Sequence, residues 1–335
     1  MRVDRSVSPV VLLLLALVLP QLWGANLAAQ EGGSPLRRPL EKVKLTVAAK
    51  SVTFVPFYFG KAKGFFKEEG VDLDIVVIRP PIGITALQAG EVDYSASSGV
   101  GMRAALKGAS LRALMFIQTK LSFSLIGQPG MDSKKIKTVA VSGVGSLAHY
   151  AAIAVLKKLG RGGPNDALTY ITTNTTAQSY ASLMGKAVDA AILTPPYTSM
   201  ATIGGYADLG NAFDMRDVQG GLVARASHLQ EHREQVKAMV RAILRSLDYV
   251  VRNEAEAIRY LQKEFHLEPK VAADSYGIVK QVLNTSGDIE EPILKSVVEN
   301  MKKETQVTAD FPMDRIVDLT LLREVRSELQ SRGRK

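Results

Sequence analysis

From Lys42 onward, short apolar runs alternate with stretches whose apolar residues recur every three or four positions. Residues 43–48 (VKLTVA) predict a buried strand, 57–69 a helix closed by Gly70, and 73–78 (LDIVVI) a second strand. Residues 82–89 predict a helix stopped at Gly90, 92–96 a strand, 102–107 a helix ending before Gly108, and 111–118 a further strand. Such a βαβα series makes a mainly parallel sheet covered by helices on both faces.

The pattern then restarts. Residues 138–142 (TVAVS) predict a strand, 147–159 a helix closed by Gly160, 168–172 a strand, 177–184 a helix closed by Gly185, and 188–193 (VDAAIL) a strand. A shift of 96 positions lays Leu87 on Leu183, Val92 on Val188 and Asp93 on Asp189, so ALQAGEVD matches SLMGKAVD in residue type. One α/β unit used twice is the expected reading, although helix, glycine and strand in that order also produce such a match without duplication. After Gly220 and Gly221, a short apolar segment, 222–224, leads into a helical remainder. There Val236, Val240, Ile243, Leu247 and Val250 form one apolar stripe, expected to pack on the first half. Ser227 with Gln230 and Asn253 with Glu256 have the spacing of capping boxes.

The first thirty residues differ from all that follows. Arg2 and Arg5 precede an unbroken apolar run, 10–19, which gives way at Pro20 to a polar stretch ending in Ala28 and Ala29. Basic, apolar and small in that order is the pattern of a secretory signal peptide over 1–29, and a run of about ten residues is half of what a membrane span needs. An uncleaved anchor is the alternative, since Leu22, Trp23 and Leu27 extend the apolar character past Pro20. Both readings put the working part outside the cytoplasm, with the periplasm as the expected location. Residues 30–41, which include EGGSPLRRPL, read as a disordered leader.

Composition removes several classes of chemistry. The chain holds no cysteine, hence no structural disulfide, thiolate metal site, cysteine nucleophile or lipidated cysteine at the cleavage point. The four histidines stand apart at 149, 228, 232 and 266, so no metal site is expected. The formal charge of +9 suits the steering of anions, but the basic residues lie among Glu and Asp without an interleaved aromatic stripe, and nucleic acid is not an expected partner. Gly143, Gly145 and Ala148 satisfy G-x-G-x-x-A, yet the region where a dinucleotide site would place its acid reads ITTNTT, and no cofactor is expected. About 300 residues follow the signal segment, more than one core usually serves, so two lobes are expected.

The segments LTVAAKSVTFVPFYFGKAKGFFKEEGVDLDIVVI, ALQAGEVDYSASS, GVGSLAHYAAIAVLKKLG and VDAAILTPP resemble the solute-binding proteins of nitrate-, sulfonate- and taurine-type ABC importers. That family also holds binding proteins for thiamine pyrimidine precursors. The resemblance implies an α/β, bilobed type II periplasmic-binding-protein fold, two doubly wound and mainly parallel sheets joined by a hinge. Residues 42–120 and 222–335 would form one lobe and 124–218 the other. It further implies a monomer that encloses a small molecule by hinge closure and delivers it to an ABC permease in the inner membrane. An enzyme on the same scaffold, acting in thiamine-pyrimidine or menaquinone-type metabolism, is the alternative, and the export signal opposes it.

Loops at the carboxyl ends of the predicted strands supply the candidate contacts. Ser51, Thr53, Phe54 and Pro56 follow the first strand, giving hydroxyls, a flat apolar face and a stiff bend. Ser97 and Ser98 follow the third and lead through Gly99 and Gly101 into a helix. In the second half, Gly145 and Ser146 open a helix with His149 three residues in, while Asn174, Thr194 and Pro195 follow later strands. Each has a structural alternative: Ser146 as an N-cap, Phe54 and Phe57 as core, His149 as a solvated helix residue, Pro195 with Pro196 as a bend. Hydroxyls beside helix N-termini suit an anion, and Phe54 among small neighbours suits a heteroaromatic compound equally. Arg79 and Lys120 are the basic residues near the strand ends, and Gly220 with Gly221 reads as a flexible point in the second crossover.

Overall fold

β1 (Glu41–Val47) buries Val43, Leu45 and Val47 while Glu41, Lys42 and Lys44 stay exposed, the alternation that the pleat of a strand imposes. The computed structural model describes residues 39–163 and 166–332; the predicted signal segment and the leader up to residue 38 lie outside the described residues. Glu41, assigned to the leader by its sequence, already pairs with Val71 as the first residue of β1.

A 3₁₀ turn, Val52–Phe54, then leads to α1 (Val55–Ala62), α2 (Phe65–Glu68), β2 (Val71–Val77), α3 (Pro80–Ala89), β3 (Tyr94–Ser95), α4 (Ser98–Leu106) and β4 (Leu111–Phe116). The single helix expected over 57–69 is two helices, because Gly64 sits at φ 81° and turns the chain between them. The second unit runs through β5 (Ser124–Gly127), β6 (Thr138–Val141), α5 (Leu147–Lys158), β7 (Thr169–Thr172), α6 (Thr176–Met184), β8 (Ala190–Leu193), α7 (Tyr197–Ile203) and β9 (Ala207–Asn211). Of these, β5, α7 and β9 were not legible as elements. The chain then returns through β10 (Gly221–Arg225) to α8 (Ala226–Glu231), α9 (Arg233–Arg252), α10 (Glu254–Phe265), α11 (Pro269–Val282), α12 (Glu291–Thr305) and α13 (Thr320–Arg332).

The first sheet has the order β2-β1-β3-β10-β4 and the second β7-β6-β8-β5-β9. In each sheet one strand, β10 or β5, opposes the direction of the other four. The orders coincide once β6 to β9 are matched with β1 to β4. β3 and β8 start at Tyr94 and Ala190, β4 and β9 at Leu111 and Ala207, each pair 96 residues apart, so the sequence repeat is a repeat of structure. Asp93 and Asp189 have parallel roles in it: Asp93 accepts the Lys44 N–H (2.8 Å), and Asp189 accepts those of Lys137 and Thr138 (2.9 Å each).

Both faces of the second sheet are covered. Val139 and Val141 join the α5 side chains in one cluster, while Ala140, between them in β6, joins Leu183 of α6 and Ala201 of α7 in another. On the first lobe, Val236, Val240, Ile243 and Leu247 of α9 enter the core around β1, β3 and β4, as the stripe predicts. Val250 continues it into a smaller cluster with α10 and α11. No helix among the described residues is long and apolar enough to cross a membrane.

Neither capping box forms. Arg225 takes the cap position of α8, ahead of Ser227. Asn253 precedes α10 but turns its amide back to the Tyr249 carbonyl (3.0 Å), and Glu256 goes to Lys63 and the Tyr249 hydroxyl (2.8 Å each). At α10 the end of the preceding helix takes the Asn253 amide, and the distant Lys63 takes the Glu256 carboxylate.

The paired glycines of the second crossover are also different from expectation. Neither has a positive φ, and both are needed for close packing. A Cβ on Gly220 would lie 2.9 Å from Ile117 Cγ1, and one on Gly221 would collide with the Ser98 hydroxyl and the Met115 carbonyl. Gly220 O accepts the Ile117 N–H (3.0 Å) and the Gly221 N–H donates to Ala96 O (2.9 Å), which fixes this stretch to the first lobe.

Candidate functional site

The carboxyl ends of six strands converge on one cavity of about 560 Å³. Its first-lobe wall is the loop after β1, the start of α3 and the start of α4; its second-lobe wall is the loops after β6, β7 and β8. Phe123, Val218 and Gln219 of the two crossovers close the remaining side. This is where open α/β sheets gather loop backbone and helix starts around a ligand.

On the first wall, Ser51, Thr53, Phe54 and Ser97 all line the cavity. Ser51 caps the 3₁₀ turn by accepting the Thr53 N–H (3.3 Å). Thr53 is 1% exposed, and its hydroxyl has no hydrogen-bond partner among the described residues. A buried hydroxyl left in this state costs free energy unless something in the cavity engages it. Phe54 belongs both to the cavity wall and to the core, so its two readings coexist; Phe57 is core alone.

On the second wall, Gly145, Ser146, Asn174 and Thr194 line the cavity. Gly145 adopts φ 79° and its N–H donates to His149 Nδ1 (3.0 Å). Ser146 is the N-cap of α5, accepting the His149 N–H (3.3 Å) while its hydroxyl lies 3.3 Å from that of Ser142. Asn174 sits at φ 69°, a conformation Asn tolerates better than most residues, and its side-chain amide has no partner among the described residues.

Four of the expected residues lie off the cavity. Pro56 is inside the first turn of α1, buried, with its carbonyl accepting the Ser246 hydroxyl (2.5 Å). Ser98 begins α4 and therefore points away from its neighbour Ser97; it is fully buried and reaches back to the Met115 carbonyl (3.5 Å). His149 folds onto its own loop, edge-on to Tyr170 at 4.5 Å, and burial holds its pKa below the ordinary histidine value. Pro195 is buried behind Thr194, joined to Pro196 by a cis bond.

Two arginines are the charged residues of the lining among the described residues. Arg103 of α4 is already committed: it donates to Glu304 of α12 (2.6 and 3.0 Å), to Asp217 of the second crossover (3.1 Å) and to the Gly99 carbonyl (3.1 Å). Burial pulls its pKa down, and the two carboxylates outweigh that and raise it. Burial also pushes the Asp217 carboxyl up, with Arg103 opposing the rise. Arg79 is exposed at the mouth and its guanidinium has no ion pair or hydrogen bond among the described residues, which leaves it as the uncommitted cation of the lining. Lys120 is exposed and does not line the cavity.

Sequence reasoning missed Arg103 and Gln219. A helix read as starting at residue 102 hides an arginine one turn after Gly99, and a lone glutamine before two glycines carries no periodic signal.

Two lobes of one topology with a cavity between their strand ends define the bilobed fold of periplasmic binding proteins. Solved structures share it at identities that reflect fold alone. The ligand-binding component of an ABC-type import system from Staphylococcus aureus matches with TM-score 0.68 and 16% identity, over 86% of this chain and 99% of that one. The alkanesulfonate-binding protein SsuA from Xanthomonas axonopodis pv. citri, bound to MOPS, matches with TM-score 0.66 and 17% identity, over 84% and 99%. The periplasmic nitrate-binding protein NrtA from Synechocystis PCC 6803 matches with TM-score 0.67 and 15% identity, over 87% and 89%. The NMT1/THI5-like family model covers residues 51–257, and the chain belongs to that family. None of the curated proteins matches its sequence.

Proposed function

We propose that this chain is the extracytoplasmic solute-binding component of an ABC importer, holding one small molecule between its lobes. The observation that carries the reading is a cavity to which both lobes bring side-chain hydrogen-bonding groups without a partner among the described residues, Thr53 and Ser97 from one, Asn174 and Thr194 from the other. A ligand that touches both walls binds the closed arrangement better than the open one, so binding itself drives closure. Export to the periplasm and hand-over to an inner-membrane permease complete the role.

The solute is anionic or heteroaromatic. Hydroxyl donors, the helix starts at Ser97 and Ser146, and Arg79 suit acceptor oxygens; Phe54 and Phe123 suit a flat apolar body. Sulfonate and nitrate binding by proteins of the same fold support the first half of this reading. The alternative is an enzyme of thiamine-pyrimidine or menaquinone-type metabolism on the same scaffold; His149, the residue whose replacement would test it, lies off the cavity with its Nδ1 accepting the Gly145 N–H.

A thermal-shift screen of the purified protein against small anions, pyrimidines and aromatic acids tests the proposal. A ligand held at about 100 times its Kd adds about 2.7 kcal/mol to stability, and the bound compound should be recovered unchanged. Chemical turnover of the stabilising compound would overturn the reading.

A further inference from the structure

Gln219 occupies an unusual junction. It lines the cavity, and its carbonyl Oε1 accepts two hydrogen bonds from the other crossover, the Ser122 N–H (3.1 Å) and the Ser122 hydroxyl (3.2 Å). A backbone N–H can only donate, so the orientation of the amide is fixed: oxygen toward Ser122, nitrogen away from it. That nitrogen has no hydrogen-bond partner among the described residues. Ser122 is fully buried and lies two residues before β5, the strand that enters the second lobe.

The main chain that follows Gln219 is packed and hydrogen-bonded against the first lobe. Gly220 O accepts the N–H of Ile117, the residue after β4 in the core of the first lobe, and neither Gly220 nor Gly221 has room for a Cβ. The side chain is therefore a strut that runs from a segment anchored on the first lobe to the segment that leads into the second. We propose that Gln219 couples the cavity to the lobe geometry: its carbonyl pins the first crossover through Ser122, while its amide N–H groups are held out to an acceptor atom of a bound molecule. The inference rests on the solute-binding reading for its second half only. With both oxygen lone pairs engaged by Ser122, the amide is polarised and oriented before anything binds, which favours an acceptor such as a carboxylate or sulfonate oxygen or a ring nitrogen. Movement of that acceptor is transmitted to Ser122 without any intervening flexible joint.

The absence of cysteine makes the test clean. Spin labels on Lys67→Cys of α2 and Lys157→Cys of α5, both exposed, report the interlobe distance distribution by pulsed electron resonance in the full chain. Without ligand, Gln219→Ala should displace or broaden the distribution, whereas Gln219→Glu, whose carboxylate still accepts from Ser122, should keep the parent one. Equal distributions for Gln219→Ala and the parent overturn the coupling. In a second arm, MOPS, sodium nitrate and benzoate serve as probes. Any probe that shortens the parent distance should need about tenfold or more higher concentration in Gln219→Glu, which loses the donors and adds negative charge. An equal response in that variant overturns the amide contact. A parent protein that none of the three probes moves counts against the anionic or heteroaromatic reading, and the ligand-free arm still decides the coupling.

Discussion

Ser275 of α11 donates a 2.9 Å hydrogen bond to Ser199 of α7, and neither side chain is exposed. The bond joins the C-terminal helices to the second lobe. α11 also packs on the 3₁₀ turn that carries Thr53 and Phe54, and α7 begins three residues after Thr194, so one helix backs both walls of the cavity. Ser199→Ala leaves the Ser275 hydroxyl buried and unpaired, which should cost about 1–3 kcal/mol in urea unfolding. The double change Ser199→Ala with Ser275→Ala should cost clearly less than the two single losses added together. Additive losses would mean that the two hydroxyls are not each other's partners.

Arg103 should behave as a structural residue. Replacing it by Leu leaves Asp217 and Glu304, 7% and 17% exposed, facing each other without their cation. Breaking a buried pair from one side costs about 3–5 kcal/mol, which denaturant unfolding at neutral pH would register. A variant with parent stability would free Arg103 for a direct role with an anion.

The crossover glycines separate packing from freedom. Gly221→Ala should destabilise by about 1–3 kcal/mol, because its methyl meets backbone at Met115, which cannot swing aside as a side chain would. Gly143→Ala has open space around its new methyl and no positive φ, so its melting temperature should match or exceed the parent's. If both variants melt like the parent, the clamp on the second crossover is wrong.

Stability should fall on mild acidification. Burial holds the pKa values of His149 and His228 below the ordinary value, against a partial rise that Gln235 gives His228. In the unfolded chain both titrate near about 6.5. The unfolded state then takes up more protons than the folded one as pH drops, so the stability present above about pH 6.5 declines below it. Protonated His149 also cannot accept the Gly145 N–H. Melting curves taken across about pH 7.5 to 5.5 should show the decline, and His149→Gln should flatten it. An identical pH profile in that variant would remove His149 from the account.

The fold was largely legible because its apolar runs are strong and its unit is used twice. VKLTV and VDAAIL each carry enough buried residues to declare a strand, and Gly90 and Gly185 stop the corresponding helices. β9 (ADLGN) was silent because it lies at a sheet edge and needs few apolar residues, and α7 (YTSMATI) because its Thr and Ser are buried by tertiary contact rather than by pattern. In the proposed site, loop position pointed to Ser51, Thr53, Phe54, Ser97, Gly145, Ser146, Asn174 and Thr194, all of which line the cavity. It could not separate Ser97 from Ser98, since the two differ only in the direction a helix start gives them. Arg103 was hidden by a helix that starts at Ser98 rather than 102, and Gln219 owes its position to the crossover, which no local spacing encodes.

The most direct test of the cleft is calorimetric titration of a compound that stabilises the parent protein, repeated on Thr53→Val and on Asn174→Ala. These residues stand on opposite walls, and a hydrogen bond to a charged group contributes about 1.5–3 kcal/mol. Each variant should therefore lose about tenfold or more in affinity for an anionic compound while keeping its fold. Parent affinity in both variants would contradict a site formed between the lobes.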